Sequence, residues 1–307
     1  MILLLARIGF GFGLFASLAG LLALWVPILD ALNHVRLITL LAALSLLAVT
    51  WRGAVAYRRP IALLVPLNLA LIAVPAYLTA AELAPRGIAH PPEKVLKLIS
   101  FNVWTENKTP QAVVDFLLRE QADIVLLVEL RRVPANSIIP HLEASYPHRE
   151  VCLGCGMALF SRFPFETSHA QRRDKGVPFV GAHIGEVDIG LTGTHLLTPD
   201  RAAIQVNELK LLTANFMAGG AARERGRIIA GDFNMTPWSM LMADFLRTSG
   251  YRRHGTLHHS WPSIGWLPPF VLIDHVVTSP DIKTISIEAG PDIGSDHRPI
   301  IARLLLP

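Results

Sequence analysis

The chain has 307 residues, of which 51% are hydrophobic and only 17% charged. That balance excludes an ordinary soluble globule and a disordered chain, and it calls for membrane segments joined to a globular part. A formal net charge of +4 admits an anionic substrate or a membrane surface without selecting either, and no basic run marks a nucleic-acid arm.

The apolar excess lies before residue 84. Ile2 to Leu29 is almost wholly apolar, broken only by Arg7 and small residues, and Gly9, Gly11, Gly13 and Gly20 are tolerated in packed membrane helices. The run is longer than a signal-peptide core and further apolar runs follow, which favours a retained helix over a cleaved leader. Val35 to Trp51 is a second run, close to the shortest length that spans a bilayer, and Ile61 to Ala81 is a third of full spanning length. Pro66 and Pro75 inside it would break a soluble helix but occur in membrane helices. Trp25, Trp51 and Tyr77 fit interfacial anchors. A buried helical hairpin is the soluble alternative.

Arg7 lies near the amino end, and Arg52, Arg58 and Arg59 lie between the second and third runs. The first connection offers Asp30, His34 and Arg36. Three spans put the amino end and the second loop together in the cytoplasm, as the positive-inside rule asks. Everything after Glu82 then emerges on the periplasmic or exterior side of a multi-pass protein of the inner (plasma) membrane. The expected organisation is a membrane anchor over 1–83, with helices near 2–29, 35–51 and 61–81. A Pro- and Gly-rich linker over 84–93 and a catalytic domain over 94–307 complete it. The spans hold no acidic residue at depth, which argues against a transporter or channel.

Within the domain, Val95 to Trp104 reads as a strand, and Pro110 opens a helix with Val113, Val114, Leu117 and Leu118 at helical spacing. Ile124 to Val128 is a continuous apolar strand ending at Glu129. Strand, helix and strand of these lengths make one crossover unit, so Asn102 and Glu129 share one sheet edge. Gly156 to Phe160 is another apolar run. Val187 to Thr194 leads to His195, and 200–217 is a predicted helix. Ile228-Ile229-Ala230 runs into Gly231-Asp232-Phe233-Asn234, then a helix over 238–248. In extended chain Asp232 and Asn234 face one side, although Gly, Asp, Asn and Pro are also turn formers. Val271 to Ile273 leads to Asp274, and Asp296-His297 precedes a last strand over 300–306. Cys152 and Cys155 are too few for a zinc site and form either a short disulfide or two thiols. Trp261, Trp266 and Phe270, among Pro262, Pro268 and Pro269, make an aromatic loop that could stack bases, enter lipid headgroups or simply pack.

Ser100-Phe101-Asn102, Val128-Glu129, Leu159-Phe160-Ser161-Arg162-Phe163-Pro164, Thr194-His195-Leu196, Gly231-Asp232-Phe233-Asn234, Ile273-Asp274-His275-Val276 and Ser295-Asp296-His297-Arg298-Pro299 follow one another in this order. As an ordered set, from about Lys97 to the end, they resemble the endonuclease/exonuclease/phosphatase superfamily. The resemblance implies an α/β fold, a four-layer α-β-β-α sandwich of two mixed sheets, here behind three transmembrane helices. It implies a hydrolase of phosphate esters that uses Mg²⁺ or Mn²⁺. Glu129 is then the main metal ligand, because hard cations take carboxylate oxygen. Asn102 and Asp296 support the metal. His297 is a base or phosphate contact oriented by Asp274, Asp232 orients or deprotonates water, Asn234 binds phosphate, and His195 donates to a phosphoryl oxygen or the leaving group. Nucleic acid, a phospholipid at the bilayer and a small phosphoester remain open as substrates. A catalytically silent binding module on the same fold is the alternative of another class.

Overall fold

The computed structural model describes the chain apart from Met1, Arg52, Ala54 and residues 86–90, 92–93, 219–225, 256–257 and 266–267. Most of the expected linker lies outside the described residues.

The first apolar run does not continue as one helix to Leu29. α1 (Ile2–Ala19) ends in a 3₁₀ turn, Gly20–Leu22, and a second 3₁₀ turn begins at Pro27, whose ring nitrogen has no proton to extend the earlier helix. α2 (Ala31–His34) follows, and the segment from Pro27 to His34 meets α3 (Arg36–Thr50) at 57°. α4 (Val55–Leu78) starts six residues earlier than its apolar core suggests and takes Arg58 and Arg59 into its first turns. The expected span over 2–29 is therefore corrected. Leu3–Leu22 and Val55–Leu78 are each long and apolar enough to cross a membrane, and a third crossing requires the bent pair to act as one span. α1, α3 and α4 pack on one another.

The physical reason for the break is the polar content of residues 30–36. The Asp30 carboxylate accepts from Ser239 Oγ at 2.5 Å and from Met240 N at 2.9 Å. Asp30 thus sits at the amino end of α8 (Met240–Ser249), where an anion meets free N–H groups and the positive end of the helix dipole. His34 Nδ1 accepts the Thr236 N–H at 3.1 Å. Arg36, fully buried, donates to Ser17 O and Asn33 Oδ1. The connection is thus folded onto the globular domain. The far end of α4 docks too, because Ala81 N donates to Arg253 O and Ala84 N donates to Thr284 O, each at 2.8 Å.

Twelve strands are described. They are β1 (Val95–Asn102), β2 (Ile124–Val128), β3 (His148–Cys152), β4 (Met157–Ser161), β5 (Thr167–Gln171) and β6 (Phe179–Ile184), then β7 (Ile189–His195), β8 (Gly226–Asp232), β9 (Arg252–Arg253), β10 (Asp274–Thr278), β11 (Lys283–Ala289) and β12 (Ile300–Leu305). They form two six-stranded sheets, ordered β11-β12-β1-β2-β4-β3 and β5-β6-β7-β8-β10-β9. Both sheets are mixed: β1–β2 and β7–β8 are parallel and their other pairings antiparallel.

Side-chain alternation sorts the core. Ile124, Leu126 and Val128 of β2 enter the inter-sheet core with Ile228 and Ala230 of β8. Val125 and Leu127 face the opposite way, against α5 (Pro110–Glu120) and α6 (Arg132–Leu142). On the outer side of the second sheet, Ile229 and Val277 pack under α7 (Ala202–Ala218) and α8. Helices therefore cover both outer faces, which gives the expected four layers. At Gly193 the sheets come so close that a Cβ would lie 2.0 Å from Leu126 Cδ1.

Candidate active site

Strand register brings the polar strand ends together. The parallel pairing of β1 and β2 sets Asn102 beside Val128, so Glu129 follows at the same edge. In the second sheet His195 pairs with Asp232, and Asp232 with Asp274. The two groups meet across the sandwich: Asn102 Nδ2 lies 3.1 Å from both Glu129 Oε1 and Asp232 Oδ2. Asn102 Oδ1 accepts the Trp104 N–H at 3.0 Å, which fixes the amide with its nitrogen toward the two carboxylates.

His297 comes from the loop before β12. Its Nδ1 lies 2.7 Å from Asp274 Oδ2, and its Nε2 lies 3.7 Å from Asp232 Oδ2. His195 Nε2 sits 3.7 Å from the same Asp232 oxygen and 3.9 Å from Glu129 Oε1. One carboxylate thus stands between two imidazoles. Ser295 locks the loop: its Oγ donates to Asn102 O at 2.7 Å and accepts the His297 N–H at 3.1 Å.

Two of these positions are held in left-handed backbone, Glu129 at φ 55° and Asn234 at φ 52°. Non-glycine residues seldom adopt it, and such positions cluster at functional sites. Asn234 corrects the extended-chain expectation. The chain turns after Asp232, whose Oδ1 accepts the Asn234 N–H at 2.8 Å, and Asn234 Nδ2 donates to Leu196 O at 2.9 Å. Gly231 makes the turn possible: at φ 137° its Cβ would lie 1.9 Å from Thr194 O. Asp274 likewise begins β10 rather than following a strand, because β10 runs antiparallel to β8.

Burial and proximity together perturb Glu129, His195, Asp232, Asp296 and His297. Burial pushes the Glu129 carboxyl up, but the Asn102 amide, His195 and the Thr105 N–H outweigh it and leave it below its ordinary value. Burial carries His195 down to about 4, against the pull of Glu129. Burial and the neighbouring Asp274 raise Asp232 to about 7. For His297, burial is overcome by Asp274 and Asp232 together, and the imidazolium persists to about 10. Asp296 is raised, chiefly by burial.

The donor set suits a hard divalent cation. Glu129 and Asp296 present carboxylates to one cavity, and Asp296 Oδ1 is buried with no hydrogen-bond partner among the described residues. Asp232, Asp274 and His297 form a second set whose donor atoms all lie within 4.8 Å of one another. The short contact of His297 Nδ1 with Asp274 is a hydrogen bond, so that pair is already partnered without a metal.

The cavity of about 730 Å³ takes in Glu129, His195, Asp232, Asn234, Asp296 and His297. Asn102 and Asp274 stand behind this surface, linked to it by the bonds given above. Sequence reading missed Ser295 and Thr105 as supports, although Ser295 lies inside a quoted motif. It also missed His34, Val35, Leu37 and Ile38, which line the same cavity from the distant apolar segment. No local signal could have found them. Trp261 and Phe270 line the cavity as well, each 36% exposed, while Trp266 lies outside the described residues. Cys152 and Cys155 are joined as a disulfide in a tight turn.

Comparison with known proteins agrees with this geometry. The family model described as "Endonuclease/Exonuclease/phosphatase family" matches residues 99–297. No curated protein sequence matches. Among solved structures, beta toxin from Staphylococcus aureus aligns with TM-score 0.54 at 16% identity, over 67% of this chain and 99% of its own. A beta-toxin variant has been solved with bound magnesium ions. An endonuclease/exonuclease/phosphatase family protein from Bacteroides thetaiotaomicron aligns with TM-score 0.59 at 14% identity, over 69% of this chain and 95% of its own. Truncated TDP2 from Caenorhabditis elegans gives 0.54 at 16%, over 69% and 98%. At these identities the structural likeness is one of fold, and the family match together with the ordered strand-end residues decides the assignment: the chain belongs to the endonuclease/exonuclease/phosphatase family.

Proposed function

We propose that this chain is a membrane-anchored, divalent-cation-dependent phosphoesterase that cleaves its ester by in-line attack of water. The observation that carries the reading is the hydrogen-bonded His297–Asp274 pair, 2.7 Å apart, facing Asp232 in the cavity that also holds Glu129. A binding module has no use for a buried imidazolium clamped between two carboxylates.

Glu129 and Asp296 would hold Mg²⁺ or Mn²⁺, with Asn102 orienting Glu129 through its amide nitrogen. The cation, when bound, supplies charge neutralisation at the phosphoryl oxygen and the leaving oxygen. Asp232 aligns a water and takes its proton. His297, held in one orientation by Asp274, donates from Nε2 to a phosphoryl oxygen as negative charge builds. His195, beside both Asp232 and Glu129, donates to the leaving oxygen or its neighbour. Asn234 braces the turn, through Leu196, that keeps Asp232 in place.

For the anchor, α1 and α4 act as two crossings and the bent pair of Pro27–His34 and α3 as a third, its amino end held against the domain at one membrane surface through Asp30 and His34. The Cys152–Cys155 disulfide supports a domain on the oxidising, periplasmic or exterior side. The test uses the full-length protein in detergent with bis(p-nitrophenyl) phosphate and p-nitrophenyl phosphate. Hydrolysis that requires Mg²⁺ or Mn²⁺ and stops with chelator is expected. Turnover indifferent to chelator refutes the reading. Activity of a carboxy-terminal reporter that works only in the cytoplasm refutes the orientation.

A further inference from the structure

The cavity lining is of two unlike kinds. Glu129, Asp232 and His297 converge in it. Val35, Leu37 and Ile38, at the start of α3, line the same cavity, as do Trp261, Phe270 and Val271. No charge follows Arg36 along α3, and Arg36 itself is buried and hydrogen-bonded away from the cavity.

Val35 and Ile38 are exposed, and the exposed face continues through Leu41 to Val49 at helical spacing. From Val35 to Val49 it runs about 21 Å at the rise of an α-helix. An apolar track therefore leads from the cavity along a helix whose remaining surroundings are hydrocarbon under the reading above. Asp30 and His34 pin the start of this track to the Asp232 loop and α8, through Ser239, Met240 and Thr236. The wall is thus rigidly placed relative to the chemistry.

We infer that the substrate is an amphiphilic phosphate ester of the bilayer. Its phosphate lies between Glu129 and His297, and its hydrocarbon lies against Val35, Ile38 and Leu41. This rests on the phosphoesterase reading and names its substrate class. The water oxygen forms a bond to phosphorus as one phosphorus–alkoxy bond breaks. One water proton goes to Asp232 and the other stays on the new phosphate hydroxyl; the departing alkoxide takes a proton from solvent, to which Asp232 returns its own, and leaves as an alcohol. A nucleic-acid strand would want cations along its path. The α3 wall offers hydrocarbon instead, and of the two arginines at the cavity among the described residues, Arg131 and Arg173, the second is already paired with Glu208, which leaves a single guanidinium rather than a cationic path.

The experiment compares one phosphodiester with and without chains: long-chain phosphatidylglycerol in mixed micelles against water-soluble glycerophosphoglycerol, both with Mg²⁺ and the full-length protein. Bis(p-nitrophenyl) phosphate and a single-stranded oligonucleotide complete the set. Each buried methylene contributes about a fourfold gain, so kcat/KM for the lipid is expected to exceed that for the chain-free ester at least about 100-fold. Ile38→Asn should lower the ratio of the two constants by about tenfold or more, the loss of roughly two methylenes' burial. Ile38→Trp, which keeps an apolar helix face but fills the wall, should lower it as well and serves if the polar variant does not fold. Equal constants for the two esters, a ratio unmoved in the Ile38 variants, or preference for the oligonucleotide overturns the lipid assignment and leaves the phosphoesterase standing. Absence of Mg²⁺-dependent hydrolysis of every ester, bis(p-nitrophenyl) phosphate included, overturns both.

Discussion

Replacing Asp274 with asparagine keeps the shape of the side chain and removes its charge. Asp274 is 1% exposed and its partner His297 is 4% exposed, so water does not screen the 2.7 Å bond between them. A hydrogen bond to a charged group contributes about 1.5–3 kcal/mol. At about 1.4 kcal/mol per decade of rate, losing it while the imidazole positions the phosphate lowers kcat about 10- to 150-fold. Asp274 also raises the proton affinity of both His297 and Asp232. Because the folded-state affinity of His297 lies above its unfolded value, its contribution to stability is full below about pH 6.5 and is lost as pH rises toward about 10. Asp232, raised to about 7, loses stability in the same direction between about pH 4 and 7. The metal-free wild type should therefore melt at lower temperature as pH rises from 6 to 9, and Asp274→Asn should show a flatter dependence. Steady-state hydrolysis of bis(p-nitrophenyl) phosphate and thermal unfolding in detergent with chelator read the two effects. A variant whose kcat stays within threefold of wild type, with an unchanged pH slope of melting, refutes the dyad.

Glu129→Gln should raise the Mg²⁺ concentration for half-maximal rate by at least about tenfold, measured by metal titration of the initial rate, because a neutral amide replaces the anionic ligand. Gly231→Ala meets Thr194 O at 1.9 Å in left-handed backbone, so a loss of more than about 3 kcal/mol is expected. That appears as a fall of roughly 6–12 °C in melting temperature, and an alanine variant that melts with the wild type would show that the turn relaxes freely. Asp30→Asn removes an anion from the start of α8 and should cost about 1–2 kcal/mol. Differential scanning fluorimetry of the full chain reads it, and no change would mean that the Pro27–His34 segment is not docked in solution.

Much of the domain was legible because its signals are local. The apolar run Ile124–Val128 is a strand buried on both faces, and Pro110 with the spacing of Val113, Val114 and Leu117 is a helix start and an amphipathic face. The edge strand β5 was not legible, because its five residues are nearly all exposed and carry no apolar alternation. β11 alternates only weakly and is irregular between Thr284 and Ser286.

The sequence by itself determined which residue types stand at the strand ends, and with the order of the motifs it determined the family. Only the tertiary structure decided what surrounds them. His34 and Thr236 are 202 positions apart, and the bond between them leaves no periodic trace in either segment. A hydrophobicity pattern records that residues 2–29 avoid water. It does not record that the helix ends by Leu22 and that Pro27 opens a separate turn, nor that Asp30 finds its partner at the amino end of α8. Long-range hydrogen bonds between short polar segments depend on where two chains of packing happen to meet, and that meeting makes an apolar helix part of the lining of the candidate active-site cavity.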